Sequence, residues 1–165
     1  MASGNIVLSG TLTLPPNCNC NTPVVVLVTG SGQQNRDEEI FGHRPFAVLA
    51  DALARHGIAS LRYDDRGYGN AALDFSSFTT DDFKDDAEAV IRYLRNRFSR
   101  VGVIGHSEGG TIALMIAAEG KADYVVTMAA MAVSGLQTLV SQHRASLAQA
   151  FLPVTVLDAY SNALS

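Results

Sequence analysis

Five consecutive apolar residues, Val24-Val25-Val26-Leu27-Val28, constrain this chain more than any other stretch. Pro23 opens the run and the glycine-rich segment Gly30-Ser31-Gly32 follows it, so it has the length of a strand and not of a helix. A strand with no polar face must be covered on both sides, as a strand inside a parallel sheet flanked by helices is. The rest of the chain alternates accordingly. Ile6 to Leu14 reads as a strand or hairpin closed by Pro15-Pro16. Pro45 suits a first helical position, and Phe46, Leu49, Ala50, Leu53 and Ala54 make a helical stripe that stops at Gly57. Ile58 to Tyr63 reads as the next strand. Thr80, with Asp81 and Asp82, reads as an N-cap and acidic first turn, before Phe83, Ala87, Val90, Ile91 and Leu94 on one helical face. Val101 to Ile104 (strand), Thr111 to Ala118 (helix) and Tyr124 to Ala129 (strand) complete the alternation. Beyond Ser134 the pattern is helical, with Gly135 to Ala150, a break before Pro153 and a last helix running into Ser165. The expected fold class is α/β: a mostly parallel sheet with helices on both faces, joined by right-handed crossovers. In such sheets chemistry collects at the carboxyl ends of the strands.

Composition narrows the function classes. The 165 residues can bury a sizeable core, and the 47% apolar and 17% charged shares suit a globular enzyme and not a disordered tail. A formal charge of −4, with no basic stripe, leaves no footprint for nucleic acid. The longest apolar runs, Val24 to Val28 and Tyr124 to Val133, are too short or too interrupted for a membrane span. Met1-Ala2-Ser3-Gly4-Asn5 has neither a basic start nor an apolar core, so no signal peptide is expected. Cys18 and Cys20 supply at most two of the four ligands a structural zinc needs, and a bridge across one residue would be strained. They read as two thiols in a polar turn; no metal or organic cofactor is expected. Neither a cytoplasmic nor an exported location is favoured.

Gly105-His106-Ser107-Glu108-Gly109 matches G-x-S-x-G, with the apolar strand Val101 to Ile104 entering it and the helix Thr111 to Ala118 leaving it. That strand–turn–helix setting is what a nucleophile elbow requires. A serine at so tight a bend is forced toward strained backbone angles that lift its hydroxyl out of the sheet. Gly105 and Gly109 leave room where side chains would collide, and the helix N-terminus beside Ser107 offers N–H groups suited to an oxyanion. The competing reading, a glycine-rich turn capped by a serine, accounts for the pattern but not for its setting.

Three loops, in order, resemble the α/β-hydrolase superfamily, in particular its bacterial serine-hydrolase and esterase-like branch. The first reads Thr29-Gly30-Ser31-Gly32-Gln33-Gln34-Asn35-Arg36-Asp37-Glu38, the second Arg62-Tyr63-Asp64-Asp65-Arg66-Gly67, and the third Gly105-His106-Ser107-Glu108-Gly109-Gly110. The resemblance covers roughly residues 6 to 160. It implies that Ser107 is the catalytic nucleophile and that the oxyanion hole is made by the N–H groups of Ser31 and Glu108. Gly105, His106 and Gly109 are implied as elbow structure. The chain departs from the family at Thr29, often histidine, which bears on loop shape and not on the triad. Asp64, Asp65 and Arg66 read as an ion pair bracing the strand end. Arg36, Asp37 and Glu38 read as a loop-bracing cluster before substrate contacts. His56, at a helix end, and His43, which precedes the serine, carry no catalytic expectation.

The resemblance also implies a triad order of serine, then acid, then histidine. After Ser107 the only histidine is His143, on the expected helix 135–150, and the candidate acids downstream are Glu119, Asp123 and Asp158. Asp158 follows His143; Glu119 and Asp123 flank a helix end remote from the chemistry. None fits. Residues 1–131 are therefore expected to be the N-terminal part of a hydrolase core, and 132–165 the start of a lid or cap. The chain is expected to be a fragment of a longer enzyme and to be inactive alone. The substrate is expected to be a small acyl compound: an ester, thioester or amide. A non-catalytic binding module that retains the elbow for structure is the alternative. A nucleotide-binding fold is disfavoured, because Asn35 replaces the third glycine of G-x-G-x-x-G and no P-loop lysine is present. An unpaired sheet edge at Tyr124 to Ala129 is expected to favour a homodimer, through that edge or the C-terminal helices.

Overall fold

The computed structural model describes residues 1–70, 73–149, 155–156 and 158–159. Contacts divide the chain into two units, Met1–Ala130 and Met131–Ser165.

In the first unit the elements run β1 (Ala2–Ser3), β2 (Ile6–Val7), β3 (Gly10–Thr13), β4 (Val24–Val28), α1 (Pro45–Arg55), β5 (Ala59–Tyr63), a 3₁₀ turn at Phe75–Ser77, α2 (Thr80–Arg95), β6 (Val101–His106), α3 (Glu108–Ala118) and β7 (Val125–Met128). The stretch from Ile6 to Leu14 is split. β1 and β2 form a small hairpin of their own, and β3 joins the main sheet.

That sheet has the order β3-β5-β4-β6-β7, parallel throughout except for the antiparallel β3–β5 pair. The apolar run is its central strand. Val24, Val26 and Val28 face α2 and α3, packing with Val90, Leu94, Ile112 and Ile116. Val25 and Leu27 face the opposite way, onto Phe46, Leu49 and Leu53 of α1. Successive side chains of a strand point to opposite faces, so one run of valine and leucine seals both helical layers. The helices therefore cover both faces, as in part of an α/β-hydrolase fold.

Strand order also locates the site. The chain leaves β4 for β5 on one side, then crosses over to β6 on the other. The crevice at the carboxyl ends of β4 and β6 is thus the switch point of the sheet, where such folds bind their ligands. The loop after β4 and the bend after β6 meet there.

α2 begins one residue earlier than its acidic turn suggests. Thr79, not Thr80, is the N-cap, with Asp82 closing a reciprocal capping box. β7 forms one edge of the sheet, and its Val126 is 49% exposed. In the second unit α4 spans Gly135–Gln149, and Arg144 pairs with Asp158 at 3.0 Å. The break expected before Pro153 and most of the final helix fall outside the described residues. Among the described residues no helix is long and apolar enough to cross a membrane.

Candidate active site

Ser107 is the single residue between β6 and α3, and its backbone sits at φ 52°, ψ −116°. A non-glycine residue there carries strain of roughly 1–3 kcal/mol, held in place by its surroundings. The Ser107 N–H donates to the Met128 carbonyl at 2.8 Å, and the Ser107 carbonyl accepts from Gly110 N–H at 3.0 Å. The bend closes only because two side chains are missing. A Cβ on Gly105 would run into the Gly109 carbonyl, and one on Gly109 would run into the Val28 and Thr29 carbonyls. Ser107 is half-buried. Glu108 opens α3, so its N–H belongs to the first turn and has no intrahelical acceptor. Its side chain is drawn aside, accepting from Thr80 Oγ1 at 2.6 Å.

The loop after β4 lies directly against this bend. A Cβ placed on Gly30 would be 3.2 Å from Ser107 Cβ and 3.3 Å from His106 Nδ1. Two carboxylates hold the loop. Asp65 accepts from Thr29 Oγ1 at 2.9 Å and from Gln34 N–H at 2.7 Å. Glu38 accepts from Gly30 N–H at 2.7 Å, and the same oxygen meets His106 Nδ1 at 2.8 Å. With the Gly30 amide committed to Glu38, the next along the loop is that of Ser31, which is exposed. A small cavity between Thr29, Gly30, Gly32, Asp65 and Glu108 adjoins these groups.

Burial pushes the Asp65 carboxyl up to about 7; the bonds from Gln34 and Thr29 pull it back in part, and the charges of Asp86 and Glu108 add to the rise. The expected pairing within Asp64, Asp65 and Arg66 takes another form. Asp64 pairs with Arg36, whose guanidinium also donates to Thr11 Oγ1 and Ser9 Oγ. Arg66 reaches α2, donating to both oxygens of Asp86 and to Asp82. Asp37 pairs with Arg62. The Arg36–Asp37 part of the first loop therefore braces the strand ends, while Glu38 turns inward toward the elbow.

Two of the downstream acids, Glu119 and Asp123, lie far from Ser107. Glu119 caps the far end of α3, 12 residues away, or about 18 Å at helical rise. It pairs there with Lys84 and Lys121. Asp123 accepts from Val101 N–H at the opposite end of β6, about 20 Å from the bend at strand rise. His43 and His56 are occupied locally, the first in a backbone bridge to Ile40 and the second through Nδ1 on the Ala52 carbonyl. His143 lies in α4 of the second unit. Among the described residues no group of three or more His, Cys, Asp or Glu converges as a metal site. Glu38 and Asp65 are the site residues that motif reading did not single out. Their signal was two acids in loops at the carboxyl ends of adjacent strands.

A family model described as serine aminopeptidase, S33, matches residues 43–160. The chain is 37% identical over 125 residues to esterase EstD of Thermotoga maritima, covering 74% of this chain and 30% of that protein. Among solved structures it resembles Est1E of Butyrivibrio proteoclasticus with bound ferulic acid, at TM-score 0.60 and 24% identity over 73% of this chain and 47% of that one. It also resembles the proline iminopeptidase of Mycobacterium smegmatis, at TM-score 0.67 and 22% identity, over 98% of this chain and 53% of that one. The structural likenesses speak to the fold. The chain spans about a third to a half of the length of these proteins.

Proposed function

This chain belongs to the serine aminopeptidase S33 family of α/β-hydrolases, and from that premise we propose that Ser107 is the nucleophile of a carboxylic ester, thioester or amide hydrolase. The observation that carries the reading is the strained Ser107 backbone at φ 52°, set against the Gly30–Ser31 loop. Ser107 Oγ attacks the acyl carbonyl, and the carbonyl electrons move to oxygen. The N–H groups of Ser31 and Glu108 take up that charge. Collapse expels the alcohol, thiol or amine with a proton and leaves an acyl-serine, which water then cleaves to the free acid. The proton must pass through a base, and in this fold that base is a histidine oriented by an acid. The distances of Glu119 and Asp123 support placing the acid at neither of them, and His43, His56 and His106 all precede Ser107, against the triad order of this fold. The 165-residue chain alone is therefore expected to hydrolyse esters negligibly, since an unassisted serine stays protonated at neutral pH. Residues 132–165 are proposed as the start of a lid.

The likeness to an esterase favours a small acyl ester as substrate. The test is labelling of the complete natural protein by a fluorophosphonate, with hydrolysis of a short-chain chromogenic ester beside an aminoacyl arylamide. Labelling and turnover that vanish in Ser107→Ala support the hydrolase. Silence toward all three reagents makes the protein a binding module. The exposed β7 edge also supports self-association of the isolated chain; a strictly monomeric species in light scattering at high concentration counts against it.

A further inference from the structure

We infer that Glu38 is a positioning residue for this reaction, a buried clamp whose reach sets the gap between the oxyanion loop and the nucleophile. The inference rests on Ser107 as nucleophile. One Glu38 oxygen accepts from Gly30 N–H at 2.7 Å and meets His106 Nδ1 at 2.8 Å. A carboxylate is an acceptor only, so the proton of that second bond sits on His106 Nδ1. His106 is the residue immediately before Ser107, and Gly30 immediately precedes Ser31. Glu38 thus ties together the two backbone segments that must cooperate. No other side chain among the described residues bonds both.

The clamp is itself held. Glu38 is 7% exposed and sits at φ 51°, a strained position for a non-glycine residue. Its N–H donates to the Asn35 carbonyl at 2.9 Å, while Asn35 Oδ1 accepts from Asp37 and Glu39 N–H on either side. A turn wound on Asn35 therefore fixes where the carboxylate ends. By taking the Gly30 amide, Glu38 also determines that the Ser31 amide faces the reacting carbonyl. Oxyanion donors act only within about 2.7–3.1 Å of the charge they stabilise, and a misplacement of about 1 Å can cost on the order of 100-fold.

The experiment compares Glu38→Gln, Glu38→Asp and Glu38→Ala in the complete natural protein, with turnover normalised to fluorophosphonate-titrated sites. Glu38→Ala is expected to lower kcat by about 10- to 100-fold with KM within about threefold, because the contact acts on the transition state. Glu38→Asp keeps the charge but is one methylene short, and is expected to fall with the alanine variant. Glu38→Gln keeps the length and an accepting oxygen, and is expected to recover most of the loss. A kcat per titrated site in Glu38→Ala within about twofold of the parent, or a rise in KM alone, overturns the inference. So does an active Glu38→Asp beside an inactive Glu38→Gln, which would make charge and not reach the property in use. If Glu38→Ala does not fold, the Asp and Gln variants decide. Amide hydrogen exchange of residues 29–34 must also quicken in Glu38→Asp and not in Glu38→Gln. Parent protein that neither labels nor turns over, or Ser107→Ala that still turns over, sinks the hydrolase reading itself; loss of the clamp effect alone leaves that reading standing.

Discussion

Arg66 and Asp86 meet through two hydrogen bonds of 2.8 Å, with the Asp86 carboxylate fully buried beneath the loop that follows β5. A buried pair of this kind gives little net stability over apolar residues of the same volume, but breaking it strands a charge. Arg66→Ala is expected to cost about 3–5 kcal/mol in urea unfolding. Arg66→Met together with Asp86→Leu is expected to recover most of that, because no lone buried charge is left; Asp82, the other partner of Arg66, is partly exposed and keeps its bonds to Thr79. Equal losses in the single and double variants would mean that the pair does more than satisfy itself.

The strain at Ser107 makes an opposite prediction. Glycine adopts φ 52° without a Cβ penalty, so Ser107→Gly is expected to raise stability by about 1 kcal/mol while abolishing labelling. Ser107→Ala keeps the Cβ and is expected to leave the thermal midpoint nearly unchanged. A destabilised glycine variant would show that the hydroxyl, and not the backbone, holds the bend.

Asp65 gives the chain a pH dependence with a definite sign. Its folded carboxyl titrates at about 7 against an ordinary value of 3.8, so the folded state holds a proton that the unfolded chain releases sooner. Its contribution is fully present below the ordinary value and is lost as pH rises through that window to about 7. Relative to Asp65→Asn, the parent is expected to lose roughly 2–4 kcal/mol between those limits and nothing further above them. The charges of Asp86 and Glu108 bear on this carboxyl, and the asparagine variant changes its hydrogen bonds, so the slope of the difference and not its offset is the measurement. A flat difference across the window would remove Asp65 as the titrating group.

Thr79→Ala is expected to cost about 1 kcal/mol, the usual loss for a removed N-cap, read as a lower midpoint in thermal unfolding. The sequence offers two adjacent threonines, and both can cap. The choice falls to Thr79 because Thr80 Oγ1 is spent on Glu108, a residue 28 positions away.

That contrast runs through the molecule. Periodicity placed every element of the main sheet and α1 to α3 to within a few residues, since apolar spacing reports which face must be buried. The elbow was legible for the same reason, because a strand, one serine and a helix are contiguous in the chain. Asp64, Asp65 and Arg66 were legible only as a charged cluster. Their partners, Arg36, Thr29 and Asp86, lie 20 to 36 residues away, and ion pairing leaves no periodic trace.

What the amino-acid sequence determined by itself was local: an apolar strand needing two covers, and a serine at an obligatory bend. Tertiary structure alone decided which acid takes the Gly30 amide and meets His106 beside that serine, and which acid is buried against Thr29 and Gln34 with its carboxyl pushed up to about 7. Those outcomes depend on low-dielectric contacts between strand ends brought together by the crossover of the sheet, and neighbours along the chain carry no information about them.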